Sequence, residues 1–90
     1  MEEINETVKA YILKEFLPGE NPDELTDSTP LITGGILDSI ATLKLVAFIE
    51  ERYGITLQAH EADVENLNTI SYITKLIQSK LSSLGVGSGD

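Results

Sequence analysis

The chain contains no cysteine and no tryptophan, a single histidine and a single methionine, and only six basic residues against fifteen acidic ones in 90 positions. Without cysteine it can build neither a disulfide framework nor a thiolate zinc site, and one histidine cannot make a multi-histidine metal cluster. The formal charge of −9 repels phosphate backbones and anionic lipid headgroups, which argues against nucleic acid and membrane as partners and favours basic protein surfaces. No apolar run approaches the ~20 residues that span a bilayer. The first residues, "MEEINETVKA", lack the basic start and apolar centre of a secretion signal, so the expected compartment is the cytoplasm. A chain this short also has too little core to wall off a deep catalytic pocket, and catalysis on a buried substrate is disfavoured.

What is present is a set of helical stripes. Ile4, Val8, Ile12 and Phe16 recur every four residues, with Tyr11 and Leu13 beside them, predicting an amphipathic helix over Met1–Leu17 that Pro18 and Gly19 end. Proline, glycine, asparagine, aspartate, serine and threonine dominate Pro18–Gly35, a long connection for so small a domain, with Leu25, Leu31 and Ile32 as candidate anchors to a core. A second helix is expected over Ser39–Tyr53, with Gly54 at its C-terminal cap and Ile40, Leu43, Val46, Ala47 and Ile49 or Glu50 as its apolar stripe. The polar stretch "AHEADVENLN" leaves room for a turn or two over Ala62–Asn66. Asn68 or Thr69 can then cap a last helix carrying Ile70, Ile73, Leu76, Ile77 and Leu81.

No strand pattern or repeat emerges, so the expected fold is all-α: a small four-helix bundle, three helices long and one short, with a long loop between helices 1 and 2. Residues 1–84 are expected to form the domain and 85–90 an unstructured tail. Leu43 and Ala47 of the second helix, with Ile73 and Leu76 of the last, are expected to meet Ile12 and Phe16 in one core.

The stretch "GGILDSIATLKLVAFIEERYG", Gly34–Gly54, sets Ser39 directly behind Asp38 where the second helix begins. Three roles are open to that serine. Its oxygen can cap the helix by accepting a first-turn N–H, but Asp38 caps equally well, and neither Ala41 nor Thr42, three residues on, completes a capping box. As a nucleophile it would need His60 and an acid beside it. The run Leu37-Asp38-Ser39-Ile40-Ala41 lacks the Gly-x-Ser-x-Gly elbow, however, and a histidine in a polar segment is ordinarily solvated. In the third role the serine is a substrate, an exposed hydroxyl on which an attached phosphodiester would gain roughly 0.3–1 kcal/mol from the helix N-terminus. The acids of Glu20–Asp27 miss the calcium-loop spacing, and no metal site is expected.

Thr29–Leu57, "TPLITGGILDSIATLKLVAFIEERYGITL", resembles the centre of an acyl carrier protein. Gly35-Ile36-Leu37-Asp38-Ser39-Ile40 matches the family's Gly-x-x-Asp-Ser-Leu/Ile motif, and the helix ends in Glu50-Glu51-Arg52-Tyr53-Gly54-Ile55. Downstream, "LNTISYITKLI", Leu67–Ile77, is similar to the family's last helix with its entry threonine. The likeness covers nearly the whole chain apart from "GVGSGD".

That resemblance implies that Ser39 is the attachment point of 4′-phosphopantetheine, transferred covalently from coenzyme A by a phosphopantetheinyl transferase with magnesium. The arm's thiol would carry an acyl or aminoacyl group as a thioester. Asp38 would cap the helix and help present the serine, and Gly35 would permit the tight approach of the loop. Ile40, Leu37, Lys44, Glu50 and Glu51 would form the partner-binding face, and no residue would be catalytic. The implied partners are the transferase, an acyl- or aminoacyl-loading ligase and downstream acyl-transfer enzymes. They would be served by a discrete, monomeric carrier in fatty-acid-like, polyketide or nonribosomal-peptide-type biosynthesis. Ala41, Thr42 and Lys44 stand where fatty-acid carriers typically hold acids, and "TPLITGGILDS" with "LKLVAFIEERYGI" looks more like the free-standing aminoacyl or peptidyl carriers and the specialised acyl carriers of secondary metabolism. The alternative is a helical protein-interaction module that keeps the fold and is never modified.

Overall fold

The computed structural model describes residues 3–19 and 21–83. Among these residues four α-helices follow one another, α1 (Ile4–Phe16), α2 (Ser39–Tyr53), α3 (Val64–Leu67) and α4 (Ile70–Ser83), with a 3-10 turn at Pro22–Glu24 inside the first connection. There is no strand among the described residues, and three long helices and a short one form the bundle as expected. The helix expected from Met1 begins at Ile4. Residues 1 and 2 and the tail expected over 85–90 lie outside the described residues.

Packing follows the stripes of the two outer helices. Val8 and Ile12 of α1 and Ile70, Ile73 and Ile77 of α4 are fully buried, while Phe16 and Leu76, expected at the centre, pack at the edge of that cluster. Each such aliphatic side chain contributes roughly 1.5–3 kcal/mol when removed from water. Tyr11 ties α1 to α2: its ring stacks on Phe48 at 4.0 Å between centroids, and its hydroxyl donates to the Lys44 carbonyl at 3.2 Å. Burial, and secondarily the nearby Glu15 carboxylate, raises the Tyr11 pKa above its ordinary value.

On α2 the expected stripe is out of phase. The buried residues are Ala41, Leu45 and Ile49, whereas Ile40 and Leu43 are 66% and 68% exposed and Ala47 also faces solvent. Leu43 and Ala47 therefore do not join the core. The helix carries apolar residues on two sides, and a 3.6-residue period fits either; the side that faces α1 and α4 is selected by the neighbouring helices.

The long connection is held at several points. Leu25 and Leu31 are buried, and Ser71 N–H at the start of α4 donates to the Asp27 carbonyl at 3.0 Å. After α2, Ile55 and Leu57 turn inward, and the Leu57 N–H donates to the Glu50 carboxylate at 2.8 Å. In the following turn, Glu61 accepts from the Gln58 N–H at 2.8 Å and pairs with Lys80 of α4 at 2.9 Å. The Gln58 N–H first, and Lys80 second, hold the Glu61 pKa below its ordinary value.

Candidate functional site

The loop before α2 is shaped by two glycines. A Cβ on Gly34 would lie 2.2 Å from the Pro30 carbonyl oxygen, so only glycine allows the chain to close there, and Gly35 adopts a φ of 85°. Both features suit a glycine, which visits left-handed backbone without steric penalty. The turn they permit lets the Leu31 carbonyl accept from both the Ile36 and the Leu37 N–H, each at 2.8 Å. Leu37 then drops into the core and fixes where α2 begins.

Asp38 is the N-cap of α2: its backbone is extended and its Oδ1 accepts from the Ala41 N–H at 2.7 Å. Ser39 is consequently the first helical residue and is exposed. Thr42 Oγ1 donates to the Asp38 carbonyl at 2.8 Å, adding a second tie to the first turn. Beside the serine runs an open groove of about 620 Å³, walled by Leu37, Thr42 and Leu43 on one side and by Ala62, Asp63 and Val64 on the other.

Three expected site residues, Gly35, Asp38 and Ser39, thus come together at one helix start. Ile40, Lys44 and Glu51 are exposed along α2. Two residues expected on the partner face make contacts inside the domain. Leu37 is only 2% exposed and serves the core, because the helix entry needs an apolar anchor. Glu50 is half-buried, and its carboxylate receives the Leu57 N–H, which pins the segment after α2. His60, weighed as a base for Ser39, is exposed in the turn between α2 and α3. Among the described residues no group of acids and histidine is arranged to hold a metal ion.

Other participants escape a reading of the sequence. Val64 forms part of the groove although its segment reads as polar, and Gly34 is needed for close approach although only Gly35 lies in the motif. The signal available for Gly34 is the doubled glycine itself. Asn68 and Thr69 both read as caps for α4; Thr69 Oγ1 takes that role, accepting from the Tyr72 N–H at 3.0 Å.

The site thus combines an exposed hydroxyl at a helix start with an open groove, on a chain of formal charge −9. No family model matches the chain. It is 36% identical over 74 residues to the D-alanyl carrier protein of Bacillus velezensis, covering 81% of this chain and 88% of that one. It is 32% identical over 71 residues to the D-alanyl carrier protein of Streptococcus suis, covering 79% and 86%. It is also 32% identical over 68 residues to the probable acyl carrier protein PigG of a Serratia species, covering 76% and 77%. The chain belongs to the acyl carrier protein family, and it is a non-catalytic carrier.

Proposed function

We propose that Ser39 is the acceptor of 4′-phosphopantetheine and that the chain carries acyl or aminoacyl groups as thioesters on that arm. The observation that carries this reading is the division of labour at the start of α2: Asp38 caps the helix, leaving the adjacent exposed hydroxyl without a structural duty. In the transfer, Ser39 Oγ bonds to the pantetheine-bearing phosphorus of coenzyme A, the bond to the other phosphate breaks, and adenosine 3′,5′-bisphosphate leaves. The serine proton passes to a base on the transferase. The new phosphodiester, negatively charged, sits at the N-terminus of a long helix, where an anion gains roughly 0.3–1 kcal/mol.

The residues around Ser39 fit the group. The groove is open, so the arm can leave it to reach another protein, and Asp38 sits where it can help a transferase and its magnesium address the serine. Ile40, Leu43, Lys44 and Glu51 of the exposed side of α2 offer the transferase, a loading ligase and downstream transfer enzymes a mixed apolar and charged surface. The −9 charge steers such encounters towards basic patches and makes them salt-sensitive.

An aminoacyl cargo is favoured by the relatives named as D-alanyl carrier proteins. A small, charged aminoacyl group gains little from apolar burial and stays in solvent. The carrier works as a monomer in the cytoplasm, where coenzyme A and the loading enzymes meet it.

The test is incubation with coenzyme A, magnesium and a broad-specificity phosphopantetheinyl transferase, followed by intact mass and peptide mapping. The expected result is one added phosphopantetheine on Ser39, and none on Ser39→Ala. A chain left unmodified by several transferases would instead be a helical interaction module.

A further inference from the structure

The side chain of Asn68, at the junction of α3 and α4, is not engaged in capping α4. Its Oδ1 accepts from the Ile32 N–H at 2.9 Å and the Thr33 N–H at 3.0 Å, across 36 and 35 residues of sequence. Its Nδ2 donates to Thr33 Oγ1 at 3.2 Å, and its backbone carbonyl accepts from the Leu31 N–H at 2.6 Å. One residue therefore grips three consecutive residues of the loop that leads to α2.

The grip is relayed. Leu31, held through its N–H by the Asn68 backbone carbonyl and through its covalent neighbours Ile32 and Thr33 by the Asn68 side chain, uses its carbonyl to receive the N–H groups of Ile36 and Leu37, each at 2.8 Å. Leu37 is covalently followed by Asp38, the cap, and by Ser39. The path from Asn68 to the serine thus consists of hydrogen bonds and one closed turn, with the buried Leu31 and Leu37 as its fixed points. Backbone N–H groups in a part-buried loop need acceptors, and Oδ1 supplies one for two of them at once.

We propose that Asn68 is a positioning residue for the modification of Ser39: it sets the height and direction at which the loop delivers the serine to the transferase. This rests on the reading of Ser39 as the phosphopantetheine acceptor. Asn68 lies on neither the exposed side of α2 nor the serine itself, so its loss should leave docking intact and misalign the hydroxyl. Misplacement of a reacting atom by about 1 Å can lower a rate about 100-fold.

The experiment compares steady-state phosphopantetheinylation of the wild-type chain with Asn68→Leu, which keeps the γ-branched shape, removes the side-chain acceptor of the Ile32 and Thr33 N–H groups and leaves the backbone bond to Leu31 in place, and with Asn68→Asp, which keeps the side-chain acceptor. The expected result is a fall in kcat of about 10- to 100-fold for Asn68→Leu at nearly unchanged KM, with Asn68→Asp recovering most of the rate. A purely structural role would act differently, because partial unfolding lowers the concentration of competent carrier and so raises the apparent KM while leaving kcat alone. A loss confined to KM, a wild-type kcat in Asn68→Leu, or an Asn68→Asp no better than Asn68→Leu would each overturn the proposal. A wild-type chain that accepts no phosphopantetheine would overturn this inference together with the reading of Ser39, and that failure is seen in the wild type alone. Amide hydrogen exchange on the wild-type chain supplies a measurement independent of any variant's folding. The relay requires the amides of Ile32, Thr33, Ile36 and Leu37 to open as one unit, and independent opening of the two pairs would break it.

Discussion

The two sides of α2 carry similar residues in opposite surroundings. Ala41, Leu45 and Ile49 face α1 and α4 and are buried, whereas Ile40, Leu43 and Ala47 face solvent, with Ile40 and Leu43 about two-thirds exposed. Composition alone would assign both sets to a core. The inner side holds the bundle together, and the outer side extends from the serine as an exposed, partly apolar surface, which the proposed function assigns to partner proteins. Exposed leucine and isoleucine clustered beside an exposed hydroxyl carry more meaning than the same residues scattered singly.

The largest effect that could break this comparison is on stability. Leu45→Ala should cost about 2–5 kcal/mol through lost burial and a residual cavity, while Leu43→Ala should stay within about 0.5 kcal/mol of wild type. Urea midpoints for the two variants test it, and equal losses would show that α2 is rotated from the orientation described. Leu43→Glu should in turn keep the melting temperature and raise the KM for the transferase, whereas Asn68→Leu is expected to lower kcat at nearly unchanged KM.

The loop ahead of α2 sharpens the comparison from the other end. Gly34→Ala would bring a methyl within 2.2 Å of the Pro30 carbonyl oxygen, so the backbone must shift. Gly35→Ala meets nothing within 4 Å but keeps a φ of 85°, which costs an L-residue about 1–2 kcal/mol. Gly34→Ala should be the more damaging of the two, measured by thermal melting, and the reverse order would refute the close approach. At the helix start, Asp38→Ala should cost roughly 0.5–2 kcal/mol from the lost cap, whereas Ser39→Ala should leave stability nearly unchanged and abolish phosphopantetheine attachment. Equal destabilisation by both would mean that the serine shares the cap.

The smallest effect concerns Glu61, in the turn before α3 and paired with Lys80 of α4. Its folded-state pKa lies below the unfolded value, held there first by the Gln58 N–H and then by Lys80. Its contribution is therefore present above the unfolded glutamate pKa and disappears as pH falls through the lowered folded value. Wild type and Glu61→Gln should differ slightly in melting temperature near neutral pH and converge at acid pH. A gap that widened on acidification would contradict the sign.

Much of the bundle was legible because its outer helices have one apolar stripe each. Val8 and Ile12, like Ile70, Ile73 and Ile77, repeat at helical spacing against polar neighbours, and a single solution buries them. The span Ser39–Tyr53 was legible from Asp38 before it and Gly54 after it. The phase of α2 was not, since apolar residues lie on two sides and no local rule ranks them. The contacts of Leu37 and Glu50 within the domain were not legible for a related reason. An apolar residue at a helix entry and an acid near a helix end look exposed in sequence, yet one reaches the core and the other meets a backbone N–H seven residues later.

The sequence by itself determined the helices, the acidic surface and the Asp38-Ser39 pair, because periodicity, charge and capping are properties of neighbours within a turn or two of the chain. Tertiary structure decided which side of α2 faces outward, that Asp38 caps while Ser39 stands exposed, and that Asn68 grips a loop some 35 residues away. Those outcomes depend on contacts between segments distant in sequence, where burial of one face and satisfaction of loop N–H groups are settled by whichever helix packs against them.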